Sequence, residues 1–110
     1  MRRGDVRWYQ DSKPDKRRPV VILTRDSALA YLSEATVAPI TRTIRNIPSE
    51  VVLSATDPMH EECAINLDHV QTVAKAKLGP VIATLSEERM SEVRKAVLFA
   101  LRFDSGVYAS

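Results

Sequence analysis

Arg18 and Thr41 are the residues whose types and setting suit chemistry on a phosphate. Arg18 follows Arg17 and precedes Pro19, at the mouth of Val20-Val21-Ile22-Leu23, a run with the character of a strand buried on both faces. Proline pins its own φ and restricts the residue before it, which fixes two guanidinium groups where the strand begins. Thr41 lies eighteen residues after Leu23, at the end of a second β-rich run. Two strands of one sheet can set a cationic fork beside a hydroxyl, and that pairing suits a phosphate. Neither side chain is a preferred metal ligand, and no serine–histidine triad is evident nearby.

Several residues could extend such a site. Trp8, the single tryptophan, sits between Arg7 and Tyr9, where an aromatic face could stack on a base. Arg17 adjoins Arg18, Arg42 and Arg45 flank the loop after Thr41, Arg25 follows the second strand, and His69 stands beside Asp68. Each has a plainer reading: a core tryptophan, a paired arginine, a strand-ending threonine, a solvated histidine. Cys63 with His60 or His69 would make a nucleophilic pair, but a cysteine opening Cys-Ala-Ile-Asn-Leu reads as a small buried hydrophobe. His60-Glu61-Glu62-Cys63 lacks the spacing of a zinc site. With three glycines there is no glycine-rich phosphate loop. No metal and no cofactor is expected.

The wider composition sets the frame. A chain of 110 residues is expected to form one domain over residues 1–110, with a core that needs no disulfide. One cysteine fits a reducing compartment. The charged Met-Arg-Arg-Gly-Asp opening has no apolar segment behind it, and no run approaches the ~20 apolar residues of a membrane span. A cytoplasmic protein with no membrane contact is expected. Residues 1–45 carry 10 basic and 5 acidic residues, a balance of +5, whereas residues 46–110 carry 6 and 9, a balance of −3. That asymmetry suits a polyanion, although a solvated charged face would look the same.

The elements that must position these groups are mostly strands. Runs at 6–9, 20–23, 36–41, 49–53, 63–67 and 69–73 read as short strands, with 10–18 a polar loop and 26–34 a short helical turn or loop. Pro39 predicts an edge or a bulge. A helix follows Ser86 as N-cap, with Glu87 and Glu88 at its positive end and Leu85 stapled onto Met90. Met90, Val93, Val97 and Leu101 share the face expected to pack on the sheet. Phe99 and Phe103 lie nearly opposite, under the tail or at a partner surface. The expected fold is α+β and mainly β: a small barrel with a C-terminal helix.

In order along nearly the whole chain, Arg3-Gly4-Asp5-Val6 with Trp8, Arg18-Pro19-Val20-Val21-Ile22-Leu23, Thr24-Arg25-Asp26, Val37-Ala38-Pro39-Ile40-Thr41, Glu50-Val51-Val52-Leu53 and Ala64-Ile65-Asn66-Leu67-Asp68 resemble the MazF/PemK family of toxin endoribonucleases from type II toxin–antitoxin systems. The resemblance implies an SH3-like barrel, a homodimer, an acidic antitoxin partner and metal-free cleavage of single-stranded RNA. The family's catalytic arginine carries over to Arg18 and its catalytic threonine or serine to Thr41. Trp8, Arg17, Arg25, Arg42, Arg45 and His69 are then the expected RNA-binding residues. The segment at 10–17 is shorter than usual in the family, and neither Asp11 nor Asp15 clearly replaces its glutamate. His69 stands where many members have glutamine or another polar residue. A CcdB-like inhibitor of DNA gyrase on the same fold is the alternative, and an RNA-binding barrel without activity is a third reading.

Overall fold

The apolar run behind Arg18-Pro19 forms the middle of the sheet. In the computed structural model, which describes residues 1–10, 16–54, 57, 59 and 61–103, strand β2 (Arg17–Ile22) lies between β1 (Asp5–Gln10) and β3 (Glu34–Thr41), antiparallel to both. Asp11, Asp15, His60 and the tail at 104–110 lie outside the described residues. Val20, Val21 and Ile22 are fully buried, as a strand covered on both faces requires. Alternation sends Val20 and Ile22 into one core with Val37 and Val73, and Val21 into another with Ala38 and Ile40.

β3 is shared between two neighbours. Its first half pairs with β6 (Gln71–Ala74) and its end with β5 (Cys63–Asn66), beyond which lies β4 (Glu50–Leu53). β7 (Leu78–Thr84) pairs with β1 at the far side. The pairing path is β4-β5-β3-β2-β1-β7, with β6 joined to β3. The mainly β architecture with a C-terminal helix is as expected, but this path does not close into a complete barrel.

Pro39 occupies neither an edge strand nor a bulge of the β2–β3 ladder. Leu23 N–H donates to the Thr36 carbonyl at 2.8 Å, so by alternation Val20 and Pro39 form a pair without mutual hydrogen bonds. The Pro39 nitrogen therefore faces away from β2, toward the gap between the last β6 pair, Val37–Gln71, and the first β5 pair, Ile40–Ile65. No ladder bond is lost there, and a central strand tolerates the proline.

Three boundaries differ from the sequence expectation. Gln10, Arg17 and Arg18 belong to strands, held by the Gln10–Arg17 and Tyr9–Arg18 pairs, so the segment joining β1 and β2 is shorter than residues 10–18. His69 ends a 3₁₀ turn, Leu67–His69, nucleated by Asn66 Oδ1 accepting from Asp68 N–H at 3.0 Å. β7 was not anticipated, because Gly79-Pro80 is a turn signal that outweighs the aliphatic residues after it.

One helical turn, α1 (Asp26–Leu29), follows β2, and the main helix is α2 (Glu87–Ala100). Ser86 Oγ accepts from Arg89 N–H at 3.1 Å, the expected N-cap. Val93 and Ala96 are buried, and Met90 and Val97 pack against the same core. Leu101 departs from the expectation: it lies past the last helical residue and is 55% exposed, while Ala96 fills the core position instead. No helix among the described residues is long and apolar enough to cross a membrane.

The Arg3-Gly4-Asp5-Val6 opening is a clasp. Gly4 has φ +93, and a Cβ there would lie 3.2 Å from Met90 Sδ, so glycine alone suits the site. Asp5 is buried and accepts from Arg2 N–H (2.9 Å) and from Thr84 Oγ1 (3.2 Å), which ties the start of β1 to the end of β7.

Candidate functional site

Arg18 and Thr41 are brought to one end of the sheet by β2 and β3. The β2–β3 ladder ends at Val20 opposite Pro39, two residues short of Arg18 and of Thr41, which lie at that same end of the two strands. Arg18 pairs instead with Tyr9 of β1, and Thr41 with Ala64 of β5. Arg18 is exposed, and its side chain makes no hydrogen bond or ion pair with the described residues. Thr41 Oγ1 accepts from Thr43 N–H at 3.1 Å, which orients the side chain and leaves its own proton to donate.

Both residues line a cleft of about 600 Å³ whose walls carry Lys16, Arg17, Arg42, Arg45 and His69. Glu50, also in the wall, shapes the rim: its Oε1 accepts from the N–H groups of Arg45 (2.9 Å) and Asn46 (3.2 Å). Asn46 takes φ 55, a left-handed turn that asparagine adopts readily, and the basic loop curls back over the cleft.

A contiguous hollow of about 560 Å³ shares Arg17, Arg18, Thr41 and Arg42 and extends to Trp8, Glu61 and Cys63. Arg42 pairs with Glu61 at 3.1 Å, but the two side chains are 84% and 61% exposed, so the pair is weak and exchangeable. The Arg17 guanidinium carbon lies 4.5 Å from the centroid of the Trp8 ring, a cation–π contact that leaves the side chain at the mouth of the site. Five cations against two carboxylates, one of them tied to backbone N–H groups, favour a polyanion.

Of the residues singled out in the sequence, Arg17, Arg18, Thr41, Arg42, Arg45 and His69 meet in one cleft, with Trp8 at its extension. Arg25 does not join them. It follows the other end of β2, seven residues from Arg18, in a hollow with Arg3, Thr24 and Ser33. Lys16 and Glu50 were not anticipated; a lysine two residues before Arg18 and an acid closing the basic loop were the available signals. Cys63 is buried. Burial, then the charges of Asp57 and Glu61, push its thiol up, which keeps it protonated and a poor nucleophile.

A mainly antiparallel fold with one C-terminal helix and a cationic cleft around an arginine–threonine pair defines a small protein built to receive a polyanion. Residues 2–101 match the family described as the PemK-like, MazF-like toxin of type II toxin–antitoxin systems, and the chain belongs to that family. It is 42% identical over 100 residues to the probable endoribonuclease MazF5 of Mycobacterium tuberculosis, covering 90% of this chain and 91% of that one. It is 32% identical over 109 residues to the endoribonuclease MazF of Staphylococcus saprophyticus, covering 92% and 91%. Among solved structures, the Mycobacterium tuberculosis toxin MazF-mt6 superposes with a TM-score of 0.80 at 32% identity, over 89% of this chain and 96% of that one. These relatives do not favour the gyrase-inhibitor alternative.

Proposed function

We propose that this chain is the toxin of a type II toxin–antitoxin pair, a metal-independent endoribonuclease that cuts single-stranded RNA (mRNA, rRNA or tRNA) sequence-selectively in the cytoplasm and so stops translation. The observation that carries this reading is that Arg18 and Thr41 line one cationic cleft in a chain of the MazF-like toxin family. Residues 1–110 act as one toxin domain.

The ribose 2′-OH attacks the adjacent phosphorus and the bond to the 5′-oxygen breaks, giving a 2′,3′-cyclic phosphate and a free 5′-OH. The 2′-oxygen loses a proton and the departing 5′-oxygen gains one. Charge builds on the phosphorane oxygens, and Arg18, cationic at any working pH, faces it with a planar fork of donors. The Thr41 hydroxyl donates to the 2′-oxygen or a phosphate oxygen and holds the nucleotide in line. Arg17, Arg42, Arg45 and His69 bind the flanking backbone, and Trp8 stacks on a base; Arg25 lies outside this cleft.

The active form is a homodimer, its interface drawn from apolar surface that one chain leaves open. Leu101 and Phe103 are 55% and 63% exposed, and Phe99 lines a hollow with Pro48, Val51 and Val52. An acidic antitoxin segment that folds on docking covers the same cationic surface as RNA. Purified protein incubated with RNA in EDTA, followed by end mapping, tests the proposal. Cyclic phosphate and 5′-OH ends are expected; RNA bound but uncut would reduce the protein to a binding module.

A further inference from the structure

We infer that a nucleotide flanking the cut phosphate occupies a second subsite, its base stacked at Trp8 and Arg17 and its phosphate met by Lys77. The inference rests on the reading of the cleft as an RNA site and extends it to residues on β7 and the turn before it.

The subsite comes from an irregularity in the sheet. β1 and β7 pair as Arg7–Val81 and then Tyr9–Leu78, so Trp8 alone faces both Gly79 and Pro80. Such a bulge bends its strand and re-aims nearby side chains. Pro80 has no N–H to offer, but β7 ends the pairing path, where a proline is tolerated. Gly79 lies directly against Trp8: a Cβ there would sit 3.4 Å from Trp8 Cβ. The result is a hollow of about 500 Å³ lined by Trp8, Arg17, Lys77, Gly79 and Pro80.

Two further observations connect this hollow to RNA. Arg17 lines it and also both hollows of the Arg18–Thr41 site, so one guanidinium bridges a continuous path. The two lysines of the preceding turn are used differently. Lys75 Nζ donates to the Leu29 carbonyl, whereas Lys77 is exposed, lines the hollow and makes no hydrogen bond or ion pair with the described residues. A cation-capped indole offers flat surfaces to the π-face of a base, and a free ammonium next to it suits the attached phosphate. Bases in a duplex hide those faces, so the subsite selects single strands.

The chain's composition supplies its own probe, because Trp8 is the single tryptophan. Cut sites are first mapped on a natural mRNA in EDTA. Short RNAs spanning a mapped site are then made with a 2′-deoxy nucleotide on the 5′ side of the scissile phosphate, so that they bind without being cut. The spanning RNA should quench Trp8 emission. Trimming the flanking nucleotides from each end in turn should, at one end, abolish the quench and weaken binding roughly ten- to a hundredfold, the worth of one stacked base. Lys77→Glu, a change at an exposed position, should weaken the spanning RNA about tenfold, flatten its salt dependence by about one phosphate contact and leave the trimmed RNA unaffected. Mapped cleavage with no quench, or with Lys77→Glu binding the spanning RNA like wild type, overturns the subsite while leaving the nuclease intact. Absence of cleavage on any RNA removes both.

Discussion

Arg18 and Thr41 line one cleft at the same end of β2 and β3, each two residues beyond the Val20–Pro39 pair that ends the ladder. Pairing with β1 holds the Arg18 backbone there, and pairing with β5 holds that of Thr41. The pair stands on a rigid double-sided core, since Val20, Val21, Ile22, Val37 and Ala38 are all fully buried. Replacing either residue should therefore alter chemistry with little change to the fold.

Thr41→Val keeps the β-branched shape and removes the hydroxyl. The lost acceptor for Thr43 N–H lies at an exposed position, so the stability cost should stay within about 1 kcal/mol. Cleavage should fall sharply while the melting temperature moves little. Normal cleavage by Thr41→Val, with an unfolded Thr41→Ala, would make Thr41 purely structural.

Reversing charge at Arg42 and Arg45 should weaken RNA and antitoxin together, since both polyanions use one surface. Binding measured across a salt series should show shallower salt dependence for both ligands. A loss of RNA binding with antitoxin affinity unchanged would place the antitoxin elsewhere.

The loop before β5 is pinned to α2 by Asp57, whose carboxylate accepts from Arg89 Nε (3.0 Å) and a terminal Arg89 nitrogen (2.9 Å). The Arg89 hydrogen bonds hold the Asp57 carboxyl below its ordinary 3.8; burial opposes this, and Ser54 N–H assists. A lowered folded-state pKa contributes stability above the unfolded value, lost as pH falls through the folded one. Asp57→Asn should cost on the order of 1 kcal/mol at neutral pH, roughly 4–8 °C in Tm for a chain of this size. The gap from wild type should narrow as the pH falls below the ordinary carboxylate range. A constant gap across thermal melts from pH 7 to pH 2 would contradict the assignment.

Light scattering should find a dimer at micromolar concentration. Phe103→Asp, at a 63% exposed position, should shift it toward monomer without loss of secondary structure. A wild-type monomer that is fully active would remove the dimer from the account.

What the sequence disclosed follows from how local each signal is. The buried β2 run and the Ser86 cap rest on residue types within a few positions, and both are present; Arg18 and Thr41, 23 positions apart in sequence, line one cleft. Pro39 misled because its tolerance depends on which strand β3 pairs with on its far side, a long-range matter. β7 was hidden by Gly79-Pro80, which makes a bulge and not a turn. Arg25 was grouped with the cleft on charge alone, although a strand's length separates it from Arg18. Glu50 was missed because its task, receiving two backbone N–H groups, appears only once the basic loop has curled.

The rate of RNA cleavage by Arg18→Ala tests the central claim most directly. Arg18 is exposed at the start of β2 and its side chain makes no hydrogen bond or ion pair with the described residues, so the variant's circular dichroism and melting curve should match wild type. On one mapped RNA in EDTA, the single-turnover rate should fall roughly 10²–10³-fold, the usual cost of one donor to a developing oxyanion. A folded Arg18→Ala protein that cuts this RNA at the wild-type rate would contradict the account.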